Sequence, residues 1–122
     1  SGMAGPLGET LASFLFAPDY SGVDFWRGKW NSRNPERWAD ATECLFERDD
    51  IDDRLPEIKC PTLIFHGDLD ASIPLERGKR MAELLGSETQ FIVIEGAGHT
   101  PNLEKPEMVN PPLIEFLETL RS

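Results

Sequence analysis

Two stretches of the sequence decide the fold: Cys60-Pro-Thr-Leu-Ile-Phe-His-Gly-Asp-Leu-Asp70 and Phe91-Ile-Val-Ile-Glu-Gly-Ala-Gly-His99. Each contains a continuous apolar run, over residues 62–65 and 91–94, followed by a loop that carries glycine and acidic residues. Apolar runs that do not alternate with polar residues are typical of strands covered on both faces of a parallel sheet. The sequence therefore predicts an α/β fold with two parallel strands and flanking helices.

A helix is predicted between the two strands, as a parallel connection requires. Its apolar stripe consists of Gly78, Met81, Ala82 and Leu85. Gly78 would let the helix approach the sheet closely, and Gly86 is a suitable place for the helix to end.

A further helix is predicted after the second strand. Asn110 is expected to cap it, with Pro111 and Pro112 in the first turn, where their missing N–H groups cost little.

The residues before position 55 have a helical and loop-rich pattern. Thr10 is expected to cap a short helix over residues 11–17, and Pro18 would end it. A second helix is predicted from Asn34-Pro35, with an apolar stripe that runs from Trp38 to Leu45.

Residues 19–33 show no clean periodicity, although they contain Trp26 and Trp30. We expect the tryptophans, Trp38 included, to be buried by packing, with the lining of an acyl pocket as the alternative. Ser1 and Gly2 precede Met3 and are typical of a remnant left by removal of a tag.

The composition argues against several classes of partner. The 122 residues include 12 basic and 22 acidic side chains, which gives a formal net charge of −10. Nucleic acids and anionic membranes are bound by clusters of Lys and Arg, so neither is an expected partner. No run of about twenty apolar residues occurs, and no membrane span is predicted.

The most informative polar pair is Asp70 and His99, each a few residues beyond a predicted strand. Reactive groups collect at the carboxyl ends of parallel strands, and neighbouring strands lie about 4.8 Å apart. A carboxylate there can fix the tautomer of the imidazole and leave its other nitrogen as a general base. Asp68 is the alternative acid, although it is expected to bond nearby backbone, and His66 is interpreted as a packed polar residue.

No nucleophile accompanies this pair in the chain. No serine lies in a Gly-x-Ser-x-Gly turn, and Ser72 and Thr100 belong to the acid and base loops themselves. Cys44 and Cys60 have neither metal-ligand nor redox spacing, so two reduced thiols are favoured over a disulfide, with Cys44 in a core. The aspartates of residues 49–53 are interpreted as a solvated linker with a helix-capping role, and no metal or cofactor is expected.

The residues just described resemble the C-terminal part of an α/β-hydrolase of the esterase, lipase and haloperoxidase-like group. The resemblance covers residues 55–120 and is carried by Leu55-Pro-Glu-Ile-Lys-Cys-Pro-Thr-Leu-Ile-Phe-His-Gly-Asp-Leu-Asp-Ala-Ser-Ile-Pro74 and Gly96-Ala-Gly-His-Thr-Pro-Asn-Leu-Glu-Lys-Pro-Glu107. It implies a partial α/β-hydrolase fold, with residues 1–54 as a helical cap-like segment and residues 55–122 as the C-terminal part of the core.

The resemblance also implies a function. Asp70 would be the triad acid and His99 the base of an enzyme that hydrolyses a small-molecule ester or related acyl bond, with a serine located upstream. The chain alone is then expected to be inactive. It is expected to self-associate or to bind a complementary N-terminal half, and a cytoplasmic location is expected. The alternatives are an epoxide or haloalkane hydrolase with an upstream aspartate nucleophile, and a non-catalytic binding or assembly module of hydrolase ancestry.

Overall fold

A computed structural model of the chain describes residues 6–32, 43–44 and 48–121. The described elements, in chain order, are α1 (Pro6–Leu15), α2 (Val23–Asn31), a 3₁₀ helix (Asp52–Glu57), β1 (Thr62–Gly67), α3 (Leu75–Leu84), β2 (Thr89–Ile94), α4 (Pro101–Glu104) and α5 (Pro106–Thr119).

The predicted strand–helix–strand unit is confirmed. β1 and β2 pair in parallel, in a register that places Thr62 opposite Thr89 and Gly67 opposite Ile94. Coverage of the sheet is less complete than the apolar runs suggest. Most strand residues are half-buried and Val93 is 41% exposed, whereas Ile94 is 1% exposed.

Helix α3 packs on one face of this sheet, through Gly78. A Cβ atom at Gly78 would overlap the ring of His66 and would lie 3.1 Å from Cε2 of Phe91. The predicted close approach of helix to sheet is therefore present, and it depends on the absence of a side chain. The rings of His66 and Phe91 lie 6.1 Å apart on this face.

Helix α5 packs on the opposite face. Side chains alternate along a strand, so the neighbour of His66, Phe65, points away from α3. Phe65 and Ile92 pack against a core cluster formed by Ile94, Ala97 and Val109 of α5. The described sheet thus lies between two helices.

A separate aromatic core joins α1 to α2. Ala12, Phe16 and Trp30 are buried, and Trp26 packs against them. The Phe16 and Trp30 rings stack with centroids 6.1 Å apart. Packing is therefore confirmed as the role of Trp26 and Trp30, whereas Trp38 lies outside the described residues.

The helix boundaries correct three predictions. Helix α1 begins at Pro6 rather than after Thr10, and it ends at Leu15. Helix α2 was not predicted, although Val23, Trp26 and Trp30 recur at i, i+3 and i+7 and form the face that packs against α1. The last helix begins at Pro106, a favourable first position, so Pro111 and Pro112 lie inside it and Asn110 caps nothing.

The structure also bears on the predictions for the two cysteines and for the acidic run of residues 49–53. Cys44 is exposed and not in a core, and both Cys44 and Cys60 are free thiols. The acidic run is part linker and part 3₁₀ helix, and Oδ1 of Asp50 accepts the backbone N–H of Asp52 at 2.9 Å. The helix predicted from Asn34 falls almost wholly outside the described residues. Among the described helices, none is long and apolar enough to span a membrane.

We expect Gly78→Ala to lower the free energy of unfolding by about 1–3 kcal/mol, because the added methyl group must push α3 away from the sheet. Gly28→Ala is the matched control, since a Cβ at this position in α2 meets no atom within 4 Å. It should instead stabilise the protein by about 0.5–1 kcal/mol, as Ala does in an exposed helix. Urea unfolding measures both changes, and equal effects would contradict this packing.

Candidate active site

The loops that follow β1 and β2 are joined through their backbones. The N–H of Asp68 donates to the carbonyl of Ile94 at 3.3 Å, and the N–H of Leu69 donates to that of Ala97 at 2.9 Å. A Cβ atom at Gly67 would overlap the Ala97 and Gly98 carbonyls, so only glycine allows this approach. The two loops thus form one layer at the carboxyl ends of the strands.

Asp70 is held in this layer by its first carboxylate oxygen. Oδ1 accepts the backbone N–H groups of Ser72 at 2.8 Å and Ile73 at 2.9 Å. The side chain is only 5% exposed. Two backbone donors on one oxygen fix the orientation of the carboxylate and leave Oδ2 for a further partner.

That partner is His99, whose Nδ1 lies 2.9 Å from Oδ2 of Asp70. A carboxylate can only accept, so Nδ1 carries the proton and the Nε2 atom of a neutral ring holds the free lone pair. The His99 side chain is 39% exposed. The structure therefore brings the predicted pair together, with one ring nitrogen bonded and the other left for a substrate or a nucleophile.

His66, near the end of β1, also lies close to the Asp70 carboxylate. Its ring is buried, and Nε2 lies 2.9 Å from the carbonyl of Ile73 and 3.5 Å from Oδ2 of Asp70. The Nε2–H group donates its hydrogen bond to the Ile73 carbonyl, which is the nearer acceptor. His66 is thus the packed polar residue that the sequence indicated, and its proximity to Asp70 was not foreseen.

Asp68 plays a different part from the expected one. Its Oδ1 accepts the N–H of Gly96 at 2.7 Å, in the other loop and 28 residues away. Gly96 has a φ of +72°, a conformation that suits glycine. Asp68 therefore links the loops, rather than bonding nearby backbone or His99.

The end of α1 anchors both loops. Its final carbonyls have no partner within the helix. The Leu15 carbonyl accepts the His99 N–H at 3.1 Å, and the Phe14 carbonyl accepts the Ser72 hydroxyl at 3.0 Å. This attachment was not predicted, since no local pattern links α1 to residues more than fifty positions away.

Glu104 also holds the loop that carries His99, and the sequence analysis did not predict this role. Its carboxylate accepts the backbone N–H groups of Ala17 at 2.7 Å, Gly98 at 3.0 Å and Thr100 at 3.1 Å. The available signal was Thr100-Pro101 with an acid soon after, which resembles a helix start whose acid turns back to the first N–H.

An open groove of about 950 Å³ runs along β1 and reaches the pair. It is lined by His66, Asp70 and His99 at one end and by Leu55 and Met81 farther away. In the described part of the chain, β1 has no strand partner other than β2. The groove therefore gives access to the partly exposed His99 side chain.

The nearby hydroxyls are occupied in holding the loops. Ser72 bonds Phe14, and the Thr100 hydroxyl donates to Glu104 at 2.9 Å. Neither is therefore arranged as a nucleophile. No group of three or more His, Cys, Asp or Glu side chains within the described residues could hold a metal ion.

Sequence comparison finds relatives among hydrolases. The profile of the family described as TAP-like protein, an α/β-hydrolase family, matches residues 34–122. The chain is 30% identical over 124 positions to 2-hydroxy-6-oxo-6-phenylhexa-2,4-dienoate hydrolase of Comamonas testosteroni, which covers 93% of the chain and 43% of that protein. It is 43% identical over 61 residues to human Protein ABHD8, covering 50% of the chain and 14% of that protein.

Solved structures of an esterase and of a bromoperoxidase also match the chain. A thermophilic esterase of Thermogutta terrifontis matches 97% of the chain and 45% of its own length, with a TM-score of 0.85 and 33% identity. A bromoperoxidase of Bacillus anthracis matches 92% of the chain and 43% of its own length, with a TM-score of 0.73 and 25% identity. The chain thus spans less than half the length of each of these four proteins.

We expect Asp70→Asn to move the proton of neutral His99 from Nδ1 to Nε2. The amide oxygen must occupy the position that accepts the Ser72 and Ile73 N–H groups, which turns the NH₂ group toward Nδ1. Long-range ¹H–¹⁵N NMR spectra distinguish the two tautomers. Asp68→Asn removes the same charge without touching the ring and should change nothing; an Nδ1–H tautomer that persists in Asp70→Asn would contradict the assignment.

Proposed function

Since the chain belongs to the TAP-like protein family of α/β-hydrolases, we propose that it carries the acid and base of an enzyme that hydrolyses an ester or related acyl bond. His99 is the general base and Asp70 is the acid that orients it. The proposal rests on the 2.9 Å contact between Nδ1 of His99 and Oδ2 of Asp70, in a His99 side chain that is 39% exposed. Family membership alone would not give a site its role.

The proposed reaction uses the free nitrogen of His99. Nε2 takes the proton of a serine hydroxyl while the serine oxygen forms a bond to the substrate carbonyl carbon. Asp70 stabilises the imidazolium that results, and His99 then gives the proton to the departing alcohol. Water repeats the sequence on the acyl-serine, which releases the acid and restores the serine.

The serine must come from outside these 122 residues, which contain no Gly-x-Ser-x-Gly turn. A second copy of the chain would bring no such turn either. We therefore favour a complementary N-terminal segment over self-association as the source of the nucleophile. The groove along β1 is the proposed entry, because it is open and reaches His99.

The chain on its own should show no turnover of p-nitrophenyl acetate that depends on His99. A base without a positioned nucleophile and oxyanion donors leaves only background hydrolysis. The wild-type chain and His99→Ala are compared at equal concentration by release of p-nitrophenol. Turnover that is clearly lost in His99→Ala would mean that the chain hydrolyses this ester without an outside serine, contrary to the proposal.

A chimera tests the proposed roles directly. The chain replaces the matching 45% of the Thermogutta terrifontis esterase, whose structure it fits with a TM-score of 0.85. We expect ester hydrolysis to be restored, and to fall by about 10⁴-fold in Asp70→Asn, since the wrong His99 tautomer cannot accept the proton. His99→Ala should lose at least as much.

Asp68→Asn is the matched control in the chimera and should retain most of the activity. A folded, active chimera that is insensitive to both Asp70→Asn and His99→Ala would refute the proposed roles. Circular dichroism and unfolding curves establish that each variant is folded.

A further inference from the structure

The Glu104 carboxylate accepts four hydrogen bonds, all from groups close to His99. Oε2 accepts the N–H groups of Ala17 at 2.7 Å and Gly98 at 3.0 Å. Oε1 accepts the N–H of Thr100 at 3.1 Å and its hydroxyl at 2.9 Å. A carboxylate offers about four lone-pair directions, so four donors use the group completely.

These donors surround His99. Gly98 and Thr100 are its two neighbours in the chain, and a single carboxylate binds the N–H group of each. The third backbone donor, Ala17, follows α1, whose Leu15 carbonyl accepts the N–H of His99 itself at 3.1 Å. The backbone of residues 98–100 is therefore held from both sides.

We propose that Glu104 is a positioning residue, which holds the His99 ring against Asp70 by clamping the backbone on either side of it. This inference rests on the proposed function, in which the Nδ1–Oδ2 contact keeps Nε2 free to accept a proton. A purely local role in starting the short helix α4 would explain only the bonds to Thr100. The bonds to Gly98 and Ala17 have no part in that helix.

The four donors also explain why a carboxylate is required at position 104. A glutamine side chain has one acceptor oxygen, and its NH₂ group would meet two of the present donors. Bonds to a charged acceptor are the stronger kind, and half-buried N–H groups without an acceptor are costly. Loss of two such bonds should raise the population in which His99 is separated from Asp70 by about tenfold or more.

Glu104→Gln in the full chain tests this, with the His99 Nδ1 proton as the reporter. The chain contains only two histidines, His66 and His99, so ¹⁵N-histidine spectra resolve both rings. We expect exchange of the His99 Nδ1 proton with water to become about tenfold faster and the Nε2–H tautomer to gain population, while the signals of His66 stay unchanged. Glu107→Gln, an equal loss of charge at an exposed position in α5, should leave His99 unaffected.

A folded Glu104→Gln variant with unaltered His99 exchange and tautomer would overturn the inference and leave the proposed function standing. Absence of an Nδ1–H bond in the wild-type chain would overturn both. If Glu104→Gln does not fold, Thr100→Val replaces it. This variant removes the hydroxyl that lies 2.9 Å from Oε1 and 3.3 Å from the Leu15 carbonyl, and it leaves the bond from the His99 N–H to that carbonyl in place. A smaller acceleration of His99 exchange is then expected, and none would overturn the inference.

Discussion

The parallel pairing of β1 with β2 is the constraint on which the candidate site depends. Because Gly67 lies opposite Ile94, both strands end at one edge, and the following loops begin about one strand spacing apart, roughly 4.8 Å. Backbone hydrogen bonds then join the loops directly. Asp70 and His99 are far apart in sequence but need only a few residues beyond the strands to reach 2.9 Å. A shift of the register by one residue would turn the strand side chains to the other face and separate the pair.

The surrounding contacts show how a fixed acid–base pair is made from ordinary backbone groups. Asp70 is oriented by two amides, and His99 is held through its own N–H by the end of α1. Asp68 and Glu104 add carboxylates that bind loop amides and not the ring. Each contact restricts the loops without engaging Nε2 of His99, whose side chain is 39% exposed. Contacts that hold the backbone and leave one ring nitrogen unbonded suit a base that must be both rigid and accessible.

Features of the fold that depend on local sequence patterns could be predicted from the sequence. The two apolar runs, the helix stripe with Gly78, and the pairing of Asp70 with His99 follow from periodicity and from the geometry of parallel strands. Contacts between residues that are distant in sequence could not be predicted from local patterns. Asp68 resembles an ordinary turn acid until the second loop is in place. The stripe of Val23, Trp26 and Trp30 in α2 is short and interrupted by the exposed Phe25, and its contact with Phe16 is visible only in the fold. The start of the last helix was misplaced because Pro111 is as good a first-turn residue as Pro106.

The contacts that position the pair all lie within the chain, whereas the proposed nucleophile does not. Helix α1 and Glu104 hold the His99 loop, and the Asp70 loop is held by its own amides and by Phe14. An acid–base pair assembled in this way does not need the nucleophile in order to form. The nucleophile needs only to reach Nε2 through the groove along β1, beside a strand that is half-buried and has a free edge among the described residues. Packing a further strand there would cover that edge and desolvate the pair, which strengthens the interaction between the Asp70 carboxylate and the imidazolium.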